Sequence, residues 1–492
     1  MPLDHGDSRS LRVRQQLKHP VVDADGHTQE YHPIVIDYLR KVGGSALTEN
    51  YLKQRMTGAN WHSLTADERY DRRAYRPPFW TMPAKNTLDL ATAMMPNLFR
   101  ARMDELGIDF AVVYTSQLHF MRERNPELRR AGCRAVNMLN ADRFREHSDR
   151  MTPAALIPLG TPEEGIEELN FAVKELGFKA IQIFGLVYRS VPCVEREAPQ
   201  FARYATWIDP LGLDGAHDYD PFWAACAKLR VAPTTHSSGM GWGTRQSISN
   251  YTYNHIGHFA AAGEASCKAI FLGGVTRRFP ELRFGFLEGG TNWAVSLFND
   301  IVEHWEKRNI KTLMANLDPV NVDRALLLEL AREYGGAEYA PYLSDLAKSH
   351  RSTGARPGLV PEHDEMLDDW RACQIETKRD IHDLFVPRFF FGCEADDRTI
   401  SGAFNTKINH FGARLNAIFS SDVSHWDVSD MNQTLAEAHE LVDEGLMTDS
   451  DFHDFTFANM VRLHGEVNPD FFKGTIVESE AKKVLTDTGT TR

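Results

Sequence analysis

The chain has 492 residues, 42% of them hydrophobic and 25% charged, which is ample material for a globular core. Its net charge of −13 argues against nucleic acid or anionic lipid as a general partner, since both demand a basic face. No stretch approaches a membrane span, the first twenty residues lack an apolar signal region, and the six cysteines form no C-x-x-C pair. The expectation is a cytoplasmic protein with reduced thiols and no membrane partner.

In chain order, eight short apolar runs alternate with helical stretches: 21–25, 109–115, 154–159, 179–184, 230–236, 283–288, 388–393 and 416–421. Buried strands alternating with helices indicate βα units around a parallel sheet. Gly107 and Gly177 stand where two of the helices should stop, as αβ loops require. Eight units, with no Gly-rich phosphate turn after an early strand, favour a (β/α)₈ TIM barrel over a doubly wound sheet. Length alone allows roughly three domains, but one barrel with long insertions after strands one and six, about 43–106 and 309–385, accounts for residues 1–492 as a single domain. Both insertions should emerge at the catalytic face, to cover a site or to build an oligomer interface.

Several strand ends carry groups with metal or acid–base chemistry. The first ends VVDADGH, and strict alternation puts Asp23, Asp25 and His27 on one face. Carboxylate oxygen with imidazole nitrogen suits zinc or manganese, although such a pair is also common near turns. The fifth run delivers His236, either to the barrel mouth or to a hydrogen-bonded core position. Glu288 ends the sixth and needs a cation or a salt bridge, with Arg277 or Arg278 as ordinary partners. Past the seventh lie Glu394, Asp396 and Asp397, of which Asp396 or Asp397 should cap a helix. The eighth run delivers Asp422, with His425 and Asp427 just beyond it. Candidate ligands at the mouths of strands one, five and eight fit a converging site better than chance.

With DADGH, THSSG, FLGGVTRRFPELRFGFLEGG and FSSDVSHWD in this order, the chain resembles amidohydrolase-related metal enzymes. The matching branch includes aminocarboxymuconate-semialdehyde decarboxylase and the nonoxidative aromatic-acid decarboxylases. The resemblance implies one divalent ion held by Asp25, His27, His236 and Asp422. Many members have H-x-H at the first strand where this chain has D-x-H. Members often carry a catalytic histidine at the place of Glu288; His255, His258 or His425 could replace it. Relatives with two metals bridge them through a carboxylated lysine at the end of strand four, which here reads QIFGLVYR, so a mononuclear site is expected. A homodimer is implied in the same way.

Two chemistries remain open for a small carboxylate or carbonyl substrate. In nonoxidative decarboxylation of an aromatic or unsaturated acid, Asp422 or one of His255, His258 and His425 supplies the proton. In hydrolysis of a C–N, C–O or C–C bond, Asp422 takes a proton from metal-activated water. A barrel that binds ligand without turnover is the third reading. Tyr75, Phe79, Trp80 and Trp242 could line an apolar pocket for a flat substrate or simply pack in loops.

Overall fold

A computed structural model describes residues 8–57, 61–78, 82, 85–348 and 367–487. Its main sheet has eight parallel strands: β1 (Val22–Thr28), β2 (Phe110–Thr115), β3 (Met151–Leu156), β4 (Ala180–Ile183), β7 (Pro233–Thr235), β8 (Phe284–Phe286), β9 (Phe389–Cys393) and β10 (Asn416–Phe419). A two-stranded antiparallel hairpin, β5 (Val187–Ser190) with β6 (Thr206–Asp209), follows β4. At the open seam, Asp422 N–H donates to Asp25 O (3.2 Å) and His27 N–H donates to Val423 O (3.0 Å). Helices alternate with the strands, and the result is a nearly closed (β/α)₈ barrel.

The core divides at the barrel wall. Val22, Ala24, Val112, Tyr114, Ala180, Phe390 and Ile418 fill the interior, and Phe457, Leu463, Phe471 and Phe472 pack onto this cluster. Lys179, at the start of β4, donates to Phe471 O (3.2 Å), so this plug covers the N-terminal end of the strands. Ile181, Phe284, Phe286, Phe389 and Phe391 form the outer side against the helices. Such two-sided burial explains why the strands read as continuous apolar runs.

All eight expected strands are present, with three differences. The third begins at Met151 and ends at Leu156, earlier than its apolar run suggested. The hairpin was not anticipated, because its residues are half-buried and lack the continuous apolar run of a barrel strand. The alternation in β1 is broken by a register shift between Asp23 and Gly26. Asp23 therefore does not share a face with Asp25 and His27. Its carboxylate lies on the side of Gly26, where a Cβ would meet Asp23 Oδ2 at 2.8 Å.

Gly107 and Gly177 both take positive φ, 75° and 77°, as the expected helix stops. The first insertion carries helices His32–Thr57, Thr87–Met94 and Pro96–Leu106. It reaches the loop after β7, where Arg76 N–H donates to Ser247 O (2.8 Å) and Asn254 Nδ2 donates to Arg76 O (3.1 Å). In the second insertion, helix Arg324–Tyr334 buries none of its residues. The six cysteines are free, five of them buried. Among the described residues, no helix is long and apolar enough to cross a membrane.

Candidate metal centre

The C-terminal ends of four strands bring six donor side chains together. Asp25 and His27 come from within β1, His236 directly follows β7, Glu288 lies just past β8, and Asp422 and His425 lie beyond β10. Ligand atoms of Asp25, His27 and His236 lie within 4.8 Å of one another, as do those of His27, Glu288, Asp422 and His425. His27 Nε2 is 3.4 Å from Asp25 Oδ1 and 3.0 Å from Asp422 Oδ1. His236 Nε2 is 2.6 Å from Glu288 Oε2, and His425 Nδ1 is 2.7 Å from Asp422 Oδ1 and 3.0 Å from Glu288 Oε1.

The backbone helps aim these groups. Leu287 already points into the barrel interior, so regular alternation would turn Glu288 outward. Glu288 instead has φ 58°, and Asp422 has φ 48°. Left-handed conformations at non-glycine residues cost about 1–2 kcal/mol each and recur at functional sites.

The donor set fits a divalent ion. Both oxygens of Asp25 and both nitrogens of His27 and His236 are buried without a hydrogen-bond partner. The close His236–Glu288 contact lies off hydrogen-bonding angles, and Glu288 Oε2 and Asp422 Oδ1 are orphaned in the same way. Buried polar atoms are costly unless satisfied, and oxygen and imidazole donors suit zinc or manganese. The ion-pair partners of Asp25, Glu288 and Asp422 are all histidines. Burial pushes the carboxyls of Asp25 and Asp422 well above their usual range. Burial also pushes Glu288 upward, but His236 and His425 outweigh it and hold this carboxyl well below its usual range. A clustered negative charge of this kind is what a bound cation neutralises.

Residues 93–350, more than half of the chain, match the amidohydrolase family model. The chain belongs to the amidohydrolase family. It is thereby a metal-dependent enzyme of that superfamily. Among solved structures, an amidohydrolase from Mycobacterium avium subsp. paratuberculosis superposes with a TM-score of 0.52 at 14% identity, covering 91% of this chain and 100% of that one. A 2,6-dihydroxybenzoate decarboxylase in complex with 2,6-dihydroxybenzoate gives 0.46 at 13% identity, covering 91% and 98%. A 5-carboxyvanillate decarboxylase from Novosphingobium aromaticivorans with bound manganese gives 0.46 at 12%, covering 91% and 97%. At these identities the likeness is one of fold.

Of the remaining candidates, Glu288 lies in this amidohydrolase centre and the others stand around it. Glu288 does not pair with Arg277 or Arg278: Arg278 is taken by Asp220 (2.6 Å), and Arg277 bonds the carbonyls of Cys373 and Gln374. His258 Nδ1 meets Ser238 Oγ at 3.1 Å, and burial, reinforced by His255, pushes it down to about 3. His255 is nearer the surface, against Tyr251 (4.9 Å between ring centroids) and Trp426 (5.9 Å). Asp397 caps a short helix through Thr399 N–H (2.8 Å), as expected. Glu394 lines a cavity of 270 Å³ beside Asp422, and burial, then Glu288, push it up to about 8.

Of the aromatic candidates, Tyr75 packs over Gly241, and Trp242 Nε1 donates to Tyr188 Oη (2.8 Å). Both are loop packing. Phe79 and Trp80 lie outside the described residues. Tyr251 and Trp426, 6.0 Å apart, form an aromatic wall against His255 and were missed. The available signal was that each flanks a candidate histidine, in YTYNH and SHW.

Proposed function

We propose that this protein is a nonoxidative decarboxylase of a small aromatic or unsaturated carboxylic acid, with Asp25, His27, His236 and Asp422 as ligands of a divalent ion, zinc or manganese. The observation that carries this reading is the wall formed by Tyr251, His255 and Trp426 beside His425, because flat faces at the mouth of a carboxylate-binding centre fit a planar acid. When bound, the ion supplies Lewis acidity toward the substrate's carboxylate and a neighbouring oxygen. Tyr251 and Trp426 hold the ring and exclude water from its face. As the carbon–carbon bond breaks, its electron pair stays on the ring carbon and carbon dioxide leaves. His255, in the wall and partly open to solvent, delivers the proton that this carbon takes up. His258, held by Ser238, packs against His255 with ring centroids 4.7 Å apart.

The test is a panel of small aromatic carboxylic acids offered to protein loaded with zinc or manganese, with carbon dioxide and the descarboxy product measured together. Turnover that disappears in Asp25→Asn supports the reading. Hydrolysis of amide or ester substrates without carbon dioxide release replaces it with metal-activated water chemistry on the same ligands.

A further inference from the structure

We infer that the hairpin after β4 forms one side of a second binding site, separate from the metal centre, for a flat carboxylate monoanion. The inference does not depend on the decarboxylase reading, because no donor of the centre lines this site.

A cavity of about 410 Å³ lies against β5 and β6, with four guanidinium groups, Arg122, Arg124, Arg129 and Arg189, and two aromatic side chains, Tyr188 and Trp207, in its lining. Trp207 stands directly opposite Arg189 in the hairpin register, so the two share one face. Tyr188 Oη donates to Ser238 O (3.3 Å) and accepts from Trp242 Nε1 (2.8 Å), which pins the hairpin to the barrel. The cavity therefore has fixed walls and the volume of a small-molecule site.

Two of the guanidiniums are held in place. Arg129 donates to both oxygens of Glu164 (3.0 and 2.7 Å) and to Glu123 O (2.7 Å). Arg189 donates to Asp209 (2.6 Å), Gly160 O (3.1 Å) and Tyr219 Oη (2.8 Å). Each commits three of its five N–H donors and keeps others for a ligand. The two meet at Gly160, where a Cβ would collide with Arg129 Nη2. Donors ordered in advance lose little entropy when a ligand binds.

The other two carry charge without a carboxylate. Arg122 lies over Phe184 and Tyr188, 5.1 and 5.3 Å from the ring centroids, and among the described residues it has no ion-pair partner. Arg124 reaches only Arg203 O, at 3.4 Å. A guanidinium laid on aromatic faces presents a planar fork that matches a carboxylate with two parallel hydrogen bonds.

The charge balance selects the class of anion. Glu164 and Asp209 neutralise Arg129 and Arg189. Against the unpaired Arg122 and Arg124 stand Glu123, which accepts from Asn125 N–H (3.1 Å), and the exposed Glu195. A site so nearly balanced disfavours a phosphate dianion and suits a monoanion. Tyr188 and Trp207 give a flat apolar body its contact surface.

The experiment is calorimetric titration of full-length, metal-loaded protein with benzoate, alone and in competition with inorganic phosphate. Wild type is compared with Arg122→Gln, Trp207→Leu and Asp25→Asn, the last disabling the metal centre, and circular dichroism checks that each variant is folded. The expected result is benzoate binding that persists in Asp25→Asn, resists phosphate, and weakens about tenfold or more in Arg122→Gln and measurably in Trp207→Leu. Loss of all benzoate binding in Asp25→Asn assigns it to the centre and overturns the second site. Binding unchanged in Arg122→Gln and Trp207→Leu overturns it as well, and displacement by phosphate overturns the carboxylate assignment. None of these outcomes bears on carbon dioxide release, so the decarboxylase reading stands or falls separately.

Discussion

Asp23 clasps Ser421 across the barrel seam: Ser421 N–H donates to Asp23 Oδ1 (2.9 Å), and Ser421 Oγ donates to Asp23 Oδ2 (2.6 Å). Asp25 N–H also donates to Asp23 Oδ1 (3.2 Å), so one carboxylate outside the metal centre fixes the two chain segments that carry Asp25 and Asp422. Asp23→Ala leaves these buried donors unsatisfied, at about 1–3 kcal/mol per group. The expected outcome is a lower urea midpoint together with weaker manganese binding. A variant with both unchanged would show that the clasp does not position the ligands.

Arg102 is fully buried between Asp89 (2.8 Å) and Glu105 (2.9 Å), and Asp89 also accepts from Met431 N–H (3.3 Å). It thus ties the first insertion to the loop after β10. Arg102→Met removes the buried cation paired with both carboxylates and should cost about 3–5 kcal/mol. Equilibrium denaturation measures this directly; a loss below 1 kcal/mol would mean that the carboxylates find other partners.

His464 lies buried against Phe471, with ring centroids 4.2 Å apart, and burial pushes it down to about 3. The folded state keeps this imidazole neutral, whereas the unfolded chain protonates near pH 6.5. Its contribution is fully present above pH 6.5 and is lost as the pH falls toward 3. Between pH 6.5 and 5 the loss is roughly 2 kcal/mol. Thermal melts of wild type and His464→Leu across that range should show a shallower acid slope in the variant, and parallel curves would contradict this account.

Trp426 is 38% exposed and stands beside Tyr251 and His255 without touching the metal ligands through any hydrogen bond. Removing its face from a stacked substrate should cost about 0.5–1.5 kcal/mol, a rise in KM of roughly 2- to 10-fold. Metal content should not change in Trp426→Ala. A drop in bound metal with KM unaltered would place Trp426 in the structure of the centre instead of its substrate wall.

A homodimer is the expectation carried by the resemblance, and the second insertion offers it a surface. Leu317, Val320, Leu326, Leu330, Tyr334 and Tyr342 are exposed on the helices of the second insertion. Multi-angle light scattering should give twice the chain mass, with Leu326→Glu and Leu330→Glu together shifting it toward monomer. A wild-type monomer at every concentration ends the assignment.

The strand ends were legible because several apolar runs stop at a polar residue, His236 and Asp422 among them. The run before His236 leaves open whether it faces the barrel mouth or a hydrogen-bonded core position, and the resemblance decided that reading. The β1 bulge was not legible, because its register depends on β2, and the face of Asp23 was misread with it. Glu288 was weighed against Arg277 and Arg278, close in the chain. Only the folded barrel shows Arg278 committed to Asp220 and leaves Glu288 to two histidines from other strands. The aromatic wall was hidden for a simpler reason: Trp426 and Tyr251 come from loops after β10 and β7, and no periodicity relates loops.

Asp25 and His27 sit within β1 and His236 directly follows β7, held by the parallel ladder, while Tyr251 and Trp426 stand on connecting segments. These two halves of the site therefore face different evolutionary constraints. On the proposed function, a change at Tyr251 or Trp426 would alter which acid is accepted while leaving the ladder-held donors in place, so descendants of this chain could exchange one substrate for another around the same reactive centre.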